Sequence, residues 1–258
     1  MKKWVLVIDS GVGGISTLAA IRKRLAFIDI IYFADDTFLP YGNKCAEELT
    51  MHLCDIISCF EDEIQAVVLA CNTATAVAVD FLRKIFCFPI IGTEPAVALA
   101  CKTDGPCAAL VTPLTAVQNK FCRLVANKPV RVFSRPNLAL KIDNYFVSGG
   151  RIADLGVDVD VCAEIAEVVS ELGKQKINKI VLGCTHYVFL KCTKMLAGFE
   201  LYDGNDGVAR RTEMFVENVG DGKIKFLFGS GDKKKSQIAL RLFDELMLLN
   251  SSTQTQAD

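Results

Sequence analysis

Short apolar runs alternate with amphipathic stretches along most of the chain. Trp4 to Ile8 is a run of strand length, Asp9 to Gly14 is a glycine-rich turn, and Ser16 to Leu25 carries apolar residues at helical spacing. The unit then repeats. Ile28 to Ala34 reads as a strand, Asp35 to Asn43 as a loop containing Pro40-Tyr41-Gly42, and Ala46 to Phe60 as a helix. Ala66 to Ala70 and Ala74 to Ile85 supply the next strand and helix, and Pro89 to Gly92 closes the set. A second set pairs Ala108 to Val111 with a helix over Leu114 to Val125, then adds the strand Val130 to Phe133. Val161 to Leu172 (helix), Lys179 to Leu182 (strand) and Val188 to Leu196 (helix) follow. After a turn-rich crossing over Leu201 to Gly207, Val208 to Val219, Ile224 to Phe228 and Lys234 to Leu249 resume the alternation.

Strands and helices in strict alternation predict an α/β fold built on mostly parallel sheets. A length of 258 residues suits two modest domains or one large unit. No Pro- or Ser-rich linker divides the chain, so the boundaries follow the rhythm alone. The expectation is two similar three-layer α/β domains: residues 1–94 completed by 206–250, and residues 95–205, with a polar, disordered tail over 251–258. Two crossing segments would join them and leave a cleft, a common place for a ligand site.

Composition narrows the partners. Hydrophobic residues make up 51% of the chain and charged residues 23%, as in a folded globular protein, and the net charge of −1 offers no long-range attraction to nucleic acid or to an anionic membrane. Asp9 interrupts the first apolar run too early for a signal peptide, and no run approaches the roughly 18 apolar residues of a membrane span. A cytoplasmic protein is expected. The eleven cysteines form no CxxC pair, so reduced thiols are expected rather than a disulfide framework.

Two of those cysteines stand apart. Val67-Val68-Leu69-Ala70-Cys71-Asn72-Thr73 and Ile180-Val181-Leu182-Gly183-Cys184-Thr185-His186 each run from a β-branched strand through a small residue to a thiol, then to polar groups opening a helix. Ligands gather outside the carboxyl ends of parallel strands. A thiol at a helix N-terminus is made more acidic by the free N–H groups there, and the thiolate can act as a base. Two such groups on opposite sides of a cleft suit removal and return of a proton on opposite faces of one carbon. Cys54, Cys59, Cys87, Cys101, Cys107, Cys122 and Cys162 lie in apolar runs and read as small hydrophobes. Asp9-Ser10-Gly11-Val12-Gly13-Gly14 matches a dinucleotide turn poorly. Its glycines read as room for the backbone to approach a small anion, with Asp9 and Ser10 facing the cleft. His186 could orient Cys184 or relay its proton, whereas His52, mid-helix without polar company, reads as structural. The paired spacings of a zinc centre are missing, so no metal is expected.

The motifs DSGVGG (Asp9 to Gly14), PYGNK (Pro40 to Lys44), ACNTATA (Ala70 to Ala76), GCTHY (Gly183 to Tyr187) and ARR (Ala209 to Arg211), in this order, resemble the glutamate racemases of the cofactor-independent aspartate/glutamate racemase superfamily. The resemblance runs from about Val5 to Asp232. It implies a two-base mechanism without cofactor or metal, with Cys71 acting on D-glutamate beside Asp9, and Cys184 on L-glutamate beside His186. It further implies that substrate is held by Asp9 and Ser10, by Tyr41 and Gly42 at the side-chain carboxylate, and by Asn72, Thr73, Thr112, Thr115, Thr185 and His186. A homodimer and a supply of D-glutamate for peptidoglycan belong to the same implication. The chain departs from the family at Ala34-Asp35, at Phe38 where an arginine is common, at Val188, and at Arg135-Pro136, after which Asp143 aligns loosely as a helper of His186. The alternatives are a racemase of aspartate or another amino acid, against which His186 speaks, and a non-catalytic small-anion-binding protein on the same scaffold.

Overall fold

The computed structural model describes residues 4–252. Among the described residues nine strands form, in chain order: β1 (Trp4–Asp9), β2 (Asp29–Ala34), β3 (Ile64–Leu69), β4 (Ile90–Gly92), β5 (Cys107–Val111), β6 (Val130–Ser134), β7 (Lys179–Gly183), β8 (Glu200–Tyr202) and β9 (Ile224–Phe228). They make two sheets, one ordered β4-β3-β1-β2-β9 and the other β6-β5-β7-β8, and every pairing in both is parallel. Helices flank both sheets, so the α/β expectation holds. β9 returns the chain to the first sheet after the second is complete.

Side chains alternate across the first sheet because successive residues of a strand point to opposite faces. Val5 and Val7 pack with Ile15, Leu18 and Ile21 on one face, and Leu6 and Ile8 with Leu49, Leu53, Ala78 and Leu82 on the other. The first of these cores continues into Leu110, Ile180 and Leu182 of the second sheet, while Ala109, Val111 and Val181 face a smaller core of their own. Each such buried aliphatic side chain contributes about 1.5–3 kcal/mol relative to exposure. One apolar interior therefore ties the two sheets together. Among the described residues no helix is long and apolar enough to cross a membrane.

Local differences from the sequence reading have visible causes. The helix expected over Leu114 to Val125 is two, Pro113–Val117 and Asn119–Val125, because Gln118 is extended and its carbonyl accepts the Cys122 N–H to start the second. The helix expected over Val188 to Leu196 is a pair of 3-10 turns, His186–Cys192 and Lys194–Leu196, parted by extended Thr193. The crossing at Leu201 contains the short edge strand β8, and the helix after it runs Asn205–Glu213 rather than from Val208 to Val219. An unforeseen helix, Leu138–Val147, follows Pro136 and buries Leu138, Ile142 and Phe146. The last helix, Lys233–Ser252, reaches into the expected tail, and residues 253–258 lie outside the described residues.

The segments between the sheets, after β4 and after β8, touch each other. A Cβ on Gly204 would stand 2.7 Å from the Glu94 carbonyl oxygen, a backbone atom that cannot swing aside. Asn205 then ties this crossing to the first helix by accepting the Thr17 hydroxyl at 2.7 Å. Gly204→Ala is expected to lower the unfolding free energy by about 1–3 kcal/mol, the usual cost of overpacking, as read from denaturant midpoints. An unchanged midpoint would show that the crossings do not need this approach.

Candidate active site

Three strand ends build the site. β1 ends at Asp9 and turns through Ser10 to Gly14 into the helix Ile15–Arg24. β3 leads to Cys71, the N-cap of the helix Asn72–Ile85. β7 leads to Cys184 and the 3-10 turn beginning at His186. The carboxyl ends of the two sheets meet here. The Thr185 hydroxyl, from the second sheet, donates to Asp9 Oδ1 of the first at 2.9 Å. Cys71 and Cys184 are 4% and 5% exposed, so the site is closed to solvent in this conformation. Two cavities of about 490 and 590 Å3 lie outside it, and neither is lined by Cys71 or Cys184.

Behind Cys184 runs a second polar chain. His186 Nδ1 lies 4.0 Å from Cys184 Sγ, and its Nε2 lies 2.9 Å from Asp143 Oδ1. The same carboxylate oxygen accepts the Val12 N–H at 2.8 Å. Asp143 belongs to the helix Leu138–Val147, whose buried Leu138, Ile142 and Phe146 recur every four residues. That periodicity is the signal by which the helix could have been found. The meeting of Asp143 with His186, to which the family resemblance points, has no such local signal, because nothing in the spacing of the sequence links them.

The glycines of the first turn serve these neighbours. A Cβ on Gly11 would collide with the Asp143 carboxylate, one on Gly13 with the His186 ring and, at 2.6 Å, with the Thr185 hydroxyl. In this conformation the bare turn admits Asp143, Thr185 and His186 from the side of the second sheet.

Burial dominates the electrostatics. It raises the Asp9 carboxyl above its ordinary value, against the lowering influence of His186, the Thr185 hydroxyl and the Gly11 and Gly14 N–H groups. Burial also pushes the Cys71 thiol well up, and the charges of Asp9 and Cys184 push the same way; the helix N–H groups of Thr73 and Ala74 oppose them and lose. The acid-strengthening expected from the helix terminus is thus present at Cys71 but outweighed by desolvation. At His186 burial alone would lower the pKa, but hydrogen bonds and charge from Asp143 and Cys184 raise it well above 6.5. The helix expected after Cys184 is a 3-10 turn, so that thiol has an imidazole rather than a helix terminus as its neighbour.

Hydroxyls and amides fill the remaining wall. The Thr73, Thr112 and Thr115 hydroxyls form a triangle with edges of 2.9, 3.2 and 2.9 Å, linking the helix after Cys71 to the segment after β5. Asn72 Nδ2 donates to the Thr93 carbonyl at 3.4 Å, and Ser10 is buried in the first turn. Gly42 packs against Thr112, where a Cβ would come within 2.8 Å of the threonine Cβ. The Tyr41 hydroxyl donates to Asp35 Oδ2 at 2.7 Å. His52 is not without polar company: its Nε2 lies 2.7 Å from the same Asp35 oxygen. Among the described residues no three His, Cys, Asp or Glu side chains are grouped to hold a metal ion.

Comparison with known proteins agrees with this frame. The Asp/Glu/hydantoin racemase family profile matches residues 40–212, well over half of the chain. The protein is an amino-acid racemase, an isomerase. It belongs to the Asp/Glu/hydantoin racemase family. A glutamate racemase of Clostridium botulinum is 32% identical over 255 residues, covering 92% of this chain and 95% of its own. One from Leptospira interrogans is 35% identical over 212 residues, covering 79% of each. The crystal structure of Escherichia coli glutamate racemase, in complex with L-glutamate and the activator UDP-MurNAc-Ala, superposes with a TM-score of 0.80 at 25% identity, covering 94% of this chain and 96% of that one.

The two buried acid groups make stability depend on pH. His186 has a folded pKa raised above 6.5, so the stabilisation from its imidazolium is complete below 6.5 and is lost as pH rises through the raised value. Asp9, a carboxyl raised above 3.8, acts in the same sense at lower pH: the fold weakens as pH climbs from 3.8 through its folded value. His186→Gln is expected to flatten the alkaline decline in urea midpoints. A decline as steep in the variant as in the parent would place its cause elsewhere.

Proposed function

We propose that the protein interconverts L-glutamate and D-glutamate by two-base proton transfer at the α-carbon, with Cys71 and Cys184 as the bases and no cofactor. The hydrogen bond between Asp9 and Thr185 carries this reading, because it ties the residue after Cys184 to a carboxyl that, like Cys184 itself, lies close enough to Cys71 for its charge to act on that thiol. Cys184, beside the His186 imidazolium, takes the α-proton of the L-isomer. Cys71, held as a thiol by burial, returns a proton to the opposite face. The D-isomer reverses the roles, with Asp9 assisting Cys71. The α-carbon is a weak acid beside an ionised carboxylate, so fixed donors must stabilise the developing charge. Backbone N–H groups at Ser10 and Gly42, the Asn72 amide, and the hydroxyls of Thr73, Thr112, Thr115 and Thr185 are the candidates.

Glutamate is favoured over aspartate by His186 following Cys184-Thr185 and by the names of the relatives. Both thiols argue against a merely anion-binding scaffold. The closed site must open to admit substrate, and the touching crossings at Glu94 and Gly204 are where the two halves, 1–94 with 206–250 and 95–205, would hinge. D-Glutamate made in the cytoplasm would serve peptidoglycan synthesis. The E. coli relative's activator, UDP-MurNAc-Ala, points to the same use.

Purified protein given L-glutamate in D2O, without pyridoxal or added metal, is expected to form D-glutamate deuterated at Cα. Cys71→Ala and Cys184→Ala should each reduce inversion by at least about a hundredfold, the low end of what a positioned acid or base contributes. Absence of α-deuteration would overturn the assignment, and full activity in either variant would overturn the two-thiol scheme.

A further inference from the structure

The loop after β2 is pinned from a direction the proposed chemistry does not use. Asp35 is buried, with its side chain 3% exposed, and Oδ2 receives both the Tyr41 hydroxyl and His52 Nε2, each at 2.7 Å. Its Oδ1 accepts the Thr37 hydroxyl at 3.2 Å, and its backbone N–H donates to the Asp9 carbonyl at 2.9 Å. A carboxylate accepts only, so His52 presents Nε2–H to it. The imidazole is fixed in turn: the Phe38 ring stacks on it with centroids 4.2 Å apart, and the Lys44 ammonium stands 4.2 Å from the centre of Phe38.

This chain of contacts ends at the site. Tyr41 opens the 3-10 turn Tyr41–Asn43 and is 1% exposed; burial and then Asp35 push its phenol pKa well up, and it lies close enough to Cys71 and Asp9 for their charges to add to the rise. Gly42, next along, packs on Thr112 of the second sheet. His52 sits on the helix Ala46–Phe60, a four-turn element whose Leu49, Leu53, Ile56 and Ile57 are anchored in the core. A core-anchored helix thus holds, through one shared carboxylate oxygen, a turn whose Tyr41 packs in the same buried cluster as Cys71.

We propose that His52 is a positioning residue: through Asp35 it locks the Tyr41–Gly42 turn in the form that receives the substrate's side-chain carboxylate. This rests on the glutamate reading above for what the turn receives, but not for the locking itself. Truncating His52 leaves Asp35 Oδ2 with one partner fewer and exposes it to water, so the turn loosens and binding weakens before chemistry does. A partner lost in binding alone raises KM and leaves kcat nearly unchanged.

The test compares the full chain with His52→Leu and His52→Gln, the second keeping an N–H donor of similar reach. Steady-state racemisation in both directions is measured beside amide hydrogen exchange over residues 40–44 of the free protein. His52→Leu should raise KM for both enantiomers about five- to twentyfold with kcat within about twofold, and speed exchange in the turn. His52→Gln should restore most of both. Unchanged exchange in His52→Leu overturns the locking. Parallel losses in kcat and KM that His52→Gln does not rescue would reduce His52 to a structural role. If the parent chain racemises nothing, the glutamate reading falls, and the exchange rates still decide what His52 does.

Discussion

Everything in the site depends on keeping a carboxylate, Asp9, where water does not reach. A lone buried carboxylate is expensive, and this one is tolerated because its donors come from both sheets: the Gly11 N–H at 3.2 Å from its own turn and the Thr185 hydroxyl from across the junction. Desolvation still wins, as its raised pKa shows. The two sheets are therefore coupled through the buried polar groups of this junction. Separating them would strip Asp9 of Thr185 and Asp143 of the Val12 N–H in a single movement. Water entering an opened site would replace those partners, so admission of a polar substrate and solvation of these groups are one event.

The same constraint explains the glycines of the first turn. Two half-sites can interpenetrate only if one of them gives up its side chains, and Gly11 and Gly13 do so for Asp143, Thr185 and His186. Tyr32 fixes the turn from below, its hydroxyl donating to the Gly11 carbonyl at 2.6 Å. Backbone freedom is secondary here, since neither glycine has a positive φ. What matters is the missing Cβ.

Much of this is readable along the chain, and the part that is not has a common character. Strands such as Val67 to Leu69 and Ile180 to Leu182 announce themselves by local apolarity, and Cys71 and Cys184 by the polar residues directly after them, because both signals are confined to a few neighbouring positions. The pairs Asp143 with His186 and His52 with Asp35 join residues 43 and 17 positions apart, and no periodicity encodes them; the first is reached only through the family resemblance, the second not at all. His52 looks structural in the sequence because its own helix carries no polar partner for it; the partner stands at the end of β2. The break at Gln118 is hidden for a different reason: the helix Asn119–Val125 still buries Phe121, so the apolar spacing hardly registers the interruption. The direction of the Cys71 pKa escapes the sequence because a sequence displays the helix terminus but not the depth of burial.

The two sides of the site solve one problem by different means. Cys71 caps a helix of 14 residues, and its help comes from the Thr73 and Ala74 N–H groups, which favour a thiolate, set against Asp9, which disfavours it. Cys184 is followed by a 3-10 turn of seven residues, too short and irregular to supply a comparable dipole, and has instead an imidazole backed by the Asp143 carboxylate. A dipole is permanent, whereas an imidazole can gain or lose its proton. In the proposed reaction, a proton passing from substrate to Cys184 and from Cys71 to product would leave a thiolate on Cys71 beside Asp9, whose charge disfavours it across a dry interior. Burial raises the Asp9 pKa, and that rise lessens the charge such a thiolate would face. On that reading the raised pKa of Asp9 would serve the pair as well as reflect its burial.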